Sequence, residues 1–398
     1  MAMINSGNGG TTGATSNGGR GRKLSSGWSL AIARSRFAQR YRSRSSRPQD
    51  AGSKTATFFD RLPVELLAQI FSQVHVTDLV SLQCTSRSFH EIVDINSSLI
   101  TRQYIRTNSL TTLSKLFPPP TLPCNKPKYD VRYLISLTKR EQTCRELSSY
   151  LTERIIERCL NTPIQRVKPK KRSVMESCLT DELTERMIYV LYFLTEYSRK
   201  REESLDLLAT HRLLVSSHTS STTNTPHQIR TRAEIFHAFQ TSIISTLPDA
   251  ILIQTHHTMH LLIKLVRLSI CPTPPHQKND PWISMMLHKS GLLRITEFFA
   301  ADMPYASHST RKGFAKAMQK DWDDLDIAAG QVPGQVGNRD VYERDVPPPI
   351  REIWFDAAQE VMRSKKLEPH AREGLAVGMF GGFVVDDLSC TGCVAGRP

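Results

Sequence analysis

The sequence predicts an all-α protein, on three observations. Apolar residues recur at offsets of three and four in one segment after another, as they do along one face of a helix. Period-two alternation, the mark of a half-buried strand, shows only at Gly381-Gly382-Phe383-Val384-Val385. Prolines and stretches rich in Gly, Ser or Thr fall between the helical patterns and set their limits. The expected order is a disordered basic tail over 1–56, a three-helix module over 57–106 and a linker over 107–128. An irregular multi-helix domain follows over 129–329, with a flexible loop near 216–228. A Gly/Pro-rich connector over 330–349, a helix packing on the body over 350–366 and a flexible tail over 367–398 complete the 398 residues.

Residues 1–56 hold ten Lys or Arg, Lys54 the last, against the single acid Asp50, and so carry most of the net charge of +14. Few branched apolar residues and many Gly, Ser and Arg predict disorder there. The stretch from Trp28 to Tyr41 interleaves Phe37 with arginines. It reads first as part of a solvated basic tail. A basic amphipathic helix on an anionic surface and an Arg-rich, acid-poor organelle presequence are the competing readings.

The module begins at Leu62-Pro63-Val64-Glu65-Leu66-Leu67. Pro63 suits a first helical position, where a missing N–H costs nothing, and Glu65 then falls in the first turn, where the helix dipole favours an anion. Leu62, Leu66, Leu67, Ile70, Phe71 and Val74 share one broad stripe. Thr77 is the expected cap of a second helix carrying Leu79, Val80 and Leu82. Ser88 with Glu91 forms a capping box for a third, carrying Phe89, Ile92 and Val93. A unit below about 50 residues rarely holds together without metal, disulfide or another surface. So much apolar face on so small a unit implies a partner.

The ordered set Leu62-Pro63-x-Glu65-Leu66-Leu67, Ile70-Phe71, Asp78-Leu79, Leu82 and Ser86-Arg87-x-Phe89 resembles the F-box. That family is the helical module that binds the Skp-type adaptor of cullin-based ubiquitin ligases. Cys84 stands where the family often has Val, and Phe89 where it often has Trp, and both remain apolar. The resemblance implies adaptor binding by Leu62, Pro63, Glu65, Leu66, Ile70 and Phe71, with Leu79 and Leu82 contacting the adaptor or supporting the fold. It further implies cullin as an indirect partner, an unknown protein substrate held by the helical body, and an intracellular site of action in cytoplasm, nucleus or both.

Ser97 to Leu116 reads as a continuation of the module, stopped by Phe117-Pro118-Pro119-Pro120, a spacer before the larger body. Tyr129 to Leu160 gives two helices broken near Lys139 to Thr143, and Thr180-Asp181-Glu182-Leu183 starts another that runs to about Tyr197. Between them Lys168-Pro169-Lys170-Lys171-Arg172 reads as an exposed, extended basic run of the kind an import receptor takes up, or as an ordinary charged loop. Ile229 to Leu247 and Asp249 to Ile270 form a pair divided by Pro248. Trp282 to Ala300, Met303 to Lys320 and Ile350 to Arg363 follow, the last with Ile353, Trp354, Ala357 and Val361 facing one way. Thr225-Pro226 lies in a Ser/Thr-rich loop, where a proline-directed kinase site competes with an ordinary loop.

The search for chemistry returns no catalytic residue, metal site or cofactor. His256 and His260 share a helical face, but His257 holds the place where a zinc protease needs Glu, so partial exposure on an amphipathic helix accounts for them. Asp321-Trp322-Asp323-Asp324-Leu325-Asp326 lacks the Gly and terminal Glu of a calcium loop and reads as a solvated face. Cys390-x-x-Cys393 lacks a second pair, and the eight cysteines form no disulfide framework, which fits a reducing compartment. No stretch has eighteen uncharged apolar residues, and no leucine-rich or propeller period appears. The expected function is therefore a non-catalytic substrate receptor. The alternative is a basic scaffold or nucleic-acid-associated protein acting through the Arg-rich tail, which ranks second because no nucleic-acid-binding fold is legible.

Overall fold

The leucine stripe that starts at Leu62 winds into helix α1 (Val64–Ser72). Pro63 stands just ahead of it in an extended conformation, and its carbonyl accepts the Leu66 and Leu67 N–H groups at 3.0 and 3.1 Å. In this computed structural model the described residues are 62–123, 126–159, 169–216, 232–270, 280–330 and 347–367. The basic tail, Lys168, Thr225-Pro226, the Gly381 to Val385 stretch and Cys390-x-x-Cys393 lie outside them, as does most of the 330–349 connector.

Helix α2 (Val76–Thr85) opens on His75, whose Nδ1 accepts the Thr77 N–H at 3.4 Å, so Thr77 is not the cap. Helix α3 (Arg87–Ile95) opens on Ser86, whose hydroxyl accepts the Phe89 N–H at 3.2 Å. The expected box of Ser88 and Glu91 starts two residues too late. Ser86 is the last extended residue, and that geometry turns its side chain toward the free N–H of the third helical position. Ser97 to Leu116 divides into α4 (Ser97–Thr107) and α5 (Thr111–Leu116), because Ser109 takes a left-handed backbone with φ 55°. Asn108 caps α4, and its amide also donates to the Ser72 carbonyl at 3.2 Å, tying the ends of α1 and α4 together.

Helix α6 (Val131–Cys159) runs unbroken through Lys139 to Thr143, where a break was expected. That polar stretch consists largely of good helix formers, and pairs such as Glu141 with Arg145 at 2.8 Å support it four residues apart. Helix α7 (Pro169–Ser216) starts well before Thr180, which instead donates its hydroxyl to Thr152 of α6 at 3.2 Å. These two long helices pack along each other and form the spine of the body.

Helices α8 (Arg232–Ser245) and α9 (Asp249–Ile270) turn at Pro248, as expected. The stretch from Trp282 to Ala300 is two helices, α10 (Asp280–Lys289) and α11 (Leu292–Asp302). Gly291 separates them with φ 58°, a conformation that a Cβ would strain. Helix α12 (His308–Gly330) begins later and extends further than the sequence suggests. A π-helical turn (Arg351–Phe355) leads into α13 (Asp356–Ser364) and turns Ile353, Trp354 and Phe355 all into the interior. The β pairing among the described residues is an isolated bridge between Thr121 and Pro127.

A single apolar cluster joins module and body: Val76 of α2 and Tyr104 of α4 belong to the same core as Leu147, Phe193, Met259 and Trp354. The 107–117 part of the expected linker, with Leu110, Leu113 and Phe117, belongs to it and is not a spacer. Leu113 and Phe117 are buried, the Tyr133 hydroxyl donates to the Phe117 carbonyl at 2.8 Å, and the Arg140 guanidinium lies 4.4 Å from the Phe117 ring centre. The prolines stop α5, and the described residues after them, up to Lys128, are largely exposed. Trp354 anchors the turn that leads into α13, with Phe193 edge-on at 4.6 Å and its indole N–H donated to His256 Nδ1 at 3.4 Å. Lys365 closes the same region by donating to the Leu247 carbonyl and the Asp249 carboxylate, each at 3.0 Å.

Candidate functional site

Helix α1 divides its side chains between two faces. Leu67, Ala68, Phe71 and Ser72 are buried, with Phe71 2% exposed. Val64, Leu66 and Ile70 face outward, and Leu66 and Ile70 are 44% and 42% exposed. Leu62 is half-buried, Pro63 and Glu65 are exposed, and the interval of four places Leu62, Leu66 and Ile70 in one row. Glu65 occupies the first turn beside this row, where its charge complements the helix N-terminus. The result is an apolar ridge with an acidic shoulder, held from behind by α4.

The predicted docking residues therefore separate. The structure brings Leu62, Pro63, Glu65, Leu66 and Ile70 together on the surface. Phe71 lies in the interior, because its stripe position falls on the α4 side of the helix. Leu79 is 0% exposed and supports the fold, while Leu82 is half-buried and sits at the margin. Sequence reasoning missed the exposure of Val64, which sits in the first turn of α1 away from the ridge, and also Ile95 and Leu99. Ile95 closes α3 at 80% exposure, and its place as the last residue before the Asn96 cap was the available signal. Cys84 is exposed and Phe89 half-buried, so neither departure from the family pattern disturbs the core.

The other singled-out residues fall elsewhere. Pro169, Lys170, Lys171 and Arg172 form the first turn of α7 and not an extended loop. Pro169 is pre-set for a first helical position, and Arg172 reaches Glu176 at 2.9 Å one turn on. His256 and His257 are buried and His260 half-buried, so partial exposure does not describe the cluster. The His256 and His260 rings lie 4.7 Å apart, and His260 packs on Phe355 at 4.1 Å. Among the described residues no group of three or more His, Cys, Asp or Glu is placed to hold a metal, and no helix is long and apolar enough to cross a membrane.

The acidic run also splits. Asp321 is buried and accepts from Arg294 Nε at 2.8 Å and from the Ser290 hydroxyl at 3.2 Å, whereas Asp323 and Asp324 are exposed. Burial works against the charge on Arg294, but the Asp321 and Glu297 carboxylates outweigh it and hold the guanidinium above its ordinary range.

Residues 59–106 match the F-box-like family model. The match takes in α1 to α3 and nearly all of α4, the helices that carry the ridge and the core behind it. No curated protein and no solved structure matches the chain.

Proposed function

We propose, on the premise that this chain carries an F-box-like domain at residues 59–106, that it is the substrate receptor of a cullin-based ubiquitin ligase. The α1 ridge of Leu62, Pro63, Leu66 and Ile70, with Glu65 on its shoulder, would dock on the Skp-type adaptor, which in turn holds the cullin. The observation that carries this reading is the coincidence of the matched segment with an outward apolar row on a helix whose opposite face is buried. A large aliphatic row left in water is costly unless it has a partner.

The body, α5 to α13, then holds the target. Catalysis by such a subunit is positional: fixing a target lysine near a charged ubiquitin raises their effective concentration, and no side chain of this chain needs to move a proton or form a bond. Its place of work is inside the cell. An import role for Lys170, Lys171 and Arg172 would have to be read from a helical turn.

Co-purification with the adaptor and cullin tests the proposal, run at low and high salt beside a Leu66→Ala, Ile70→Ala variant. Apolar docking predicts salt-resistant recovery of both partners that the variant loses. The charge of the 1–56 segment favours a second reading, a basic scaffold or nucleic-acid-associated protein. Recovery of nucleic acid that collapses with added salt, with neither adaptor nor cullin present, selects that reading instead.

A further inference from the structure

Helix α12 carries its charges against its own dipole. From His308 to Lys320 it has four Lys or Arg and no acid, and from Asp321 to Gly330 it has four Asp and no base. A helix N-terminus favours anions and a C-terminus cations, so this order works against the helix.

Packing accounts for part of it. Arg311 donates to the Ala301 and Met303 carbonyls, both at 3.3 Å, and so closes the end of α11. Asp321 is buried against Arg294 and Ser290. Lys312, Lys316 and Lys320 have no such use. All three are exposed, and they enter no ion pair among the described residues. The acids of α11, on which α12 packs, are engaged elsewhere: Glu297 with Arg294 and Asp302 with Arg154.

A spacing of four turns each lysine only about 40° from the last, so the three form one row that advances about 6 Å per step along the axis. Buried Met318 and Asp321 mark the opposite side of the helix, and the row therefore faces away from α11. Like charges four residues apart repel, which adds to what the row costs α12. It also has a limit. Asp323 returns to the same face three residues beyond Lys320, held by Gln319 at 2.8 Å, and Asp324 follows on its flank.

Sign and length together choose the occupant. Three cations over about 12 Å call for anions at matching intervals. On an extended peptide alternate side chains point the same way and repeat at about 6.6 Å, close to the lysine step. A strand of uniform negative charge, such as a nucleic acid, would run on into Asp323 and Asp324, and like charges brought face to face are costly. A short acidic run stops before them.

We propose that the row of Lys312, Lys316 and Lys320 on α12 is a docking surface for a short extended segment of a protein target, with Asp or Glu at alternate positions. That the segment belongs to a ubiquitination target rests on the function proposed above. The attraction for alternating acids does not.

The test uses the purified full chain without adaptor and a Gly/Ser peptide carrying three alternating glutamates. Zero-length carbodiimide coupling joins carboxylate to amine, and peptide mass mapping locates the joint. The basic 1–56 segment will also draw an acidic peptide, so the position of coupling is the readout and not total binding. Coupling should favour Lys312, Lys316 and Lys320 several-fold over the exposed Lys115, Lys126 and Lys139. Lys316→Glu alters one exposed side chain, keeps a good helix former, and should cut coupling at Lys312 and Lys320 about tenfold. Equal yields at the two sets of lysines overturn the proposal, as does unchanged coupling at Lys312 and Lys320 in that variant. An oligonucleotide that shields the row at a lower concentration than the peptide needs to saturate it makes the row a nucleic-acid contact and overturns the peptide assignment. Adaptor recovery from the same preparation separates the two ideas. A chain that recovers adaptor but shows no preference for the row sinks the docking surface alone, and one that couples at the row but recovers no adaptor sinks the ligase reading alone.

Discussion

Replacing Leu66 and Ile70 with alanine should cut adaptor binding while leaving the fold nearly intact. Each side chain has a little over two-fifths of its surface in water, and that fraction is what docking has left to bury. Full burial of a large aliphatic side chain is worth about 2.5 kcal/mol, so the exposed share is about 1 kcal/mol each. The pair then contributes about 2 kcal/mol, or about thirtyfold in Kd. Phe71→Ala gives the contrast, since the 2% exposure of that ring leaves nothing for a partner to cover, and its loss should cost about 3–5 kcal/mol of stability. Adaptor titration by calorimetry beside urea unfolding reads both quantities on each variant. The reasoning is refuted if the Leu66, Ile70 double variant keeps wild-type affinity, or if Phe71→Ala lowers affinity while the unfolding midpoint stays put.

Four further outcomes follow from the packing. Tyr133→Phe removes the hydrogen bond to the Phe117 carbonyl and should cost about 1 kcal/mol in urea unfolding, whereas a free spacer at 107–128 predicts no change. Trp354→Ala should cost about 3–5 kcal/mol and erase the near-ultraviolet dichroism of the Phe193–Trp354 pair. Alkylation followed by peptide mass mapping should label exposed Cys84 and Cys178 at once and spare Cys144, whose thiol burial pushes up to about 12. The Cys144 thiol stays neutral in the fold and ionises above about 9 once unfolded. Its contribution is therefore whole below that value and is lost as pH rises toward about 12, at up to about 1.4 kcal/mol per pH unit. Urea melts across that range should show a shallower decline in Cys144→Ala than in the wild type.

The sequence showed the helices more clearly than their limits. Ile353, Trp354, Ala357 and Val361 form a stripe whose burial the fold displays, because an offset of three or four is a local property. The continuity of α6 was illegible at Lys139 to Thr143, since a polar stretch on the solvent side of a long helix resembles a loop when only apolar residues are counted. The breaks at Ser109 and Gly291 were hidden for the opposite reason. Apolar residues continue past each, and only the backbone dihedral ends the helix. On α1 the apolar set was legible but its division was not. Leu66 and Phe71 belong to one stripe, and which edge faces water depends on where α4 lies, a contact more than thirty residues away in sequence. Asp321 and His256 were misplaced in the same way, since their partners Arg294 and Trp354 come from other helices.

A shared core changes what the ligase reading demands of the rest of the chain. If a spacer joined the ridge to the body, target position would be averaged over the spacer's conformations and the effective concentration at the ubiquitin donor would fall as the linker lengthened. The packing at Leu110, Leu113 and Phe117 argues for the opposite regime. Val76 of the docking module touches the body's core, the Arg102 guanidinium lies 4.7 Å from the Tyr129 ring centre, and Phe117 is gripped by Tyr133 and Arg140. A target held by the body would inherit the orientation that α1 takes on the adaptor, through helices packed side by side. The contacts at Phe117 then serve stability and positioning together, so a variant there that remains folded should slow transfer to a bound target without weakening either the adaptor or the target interaction.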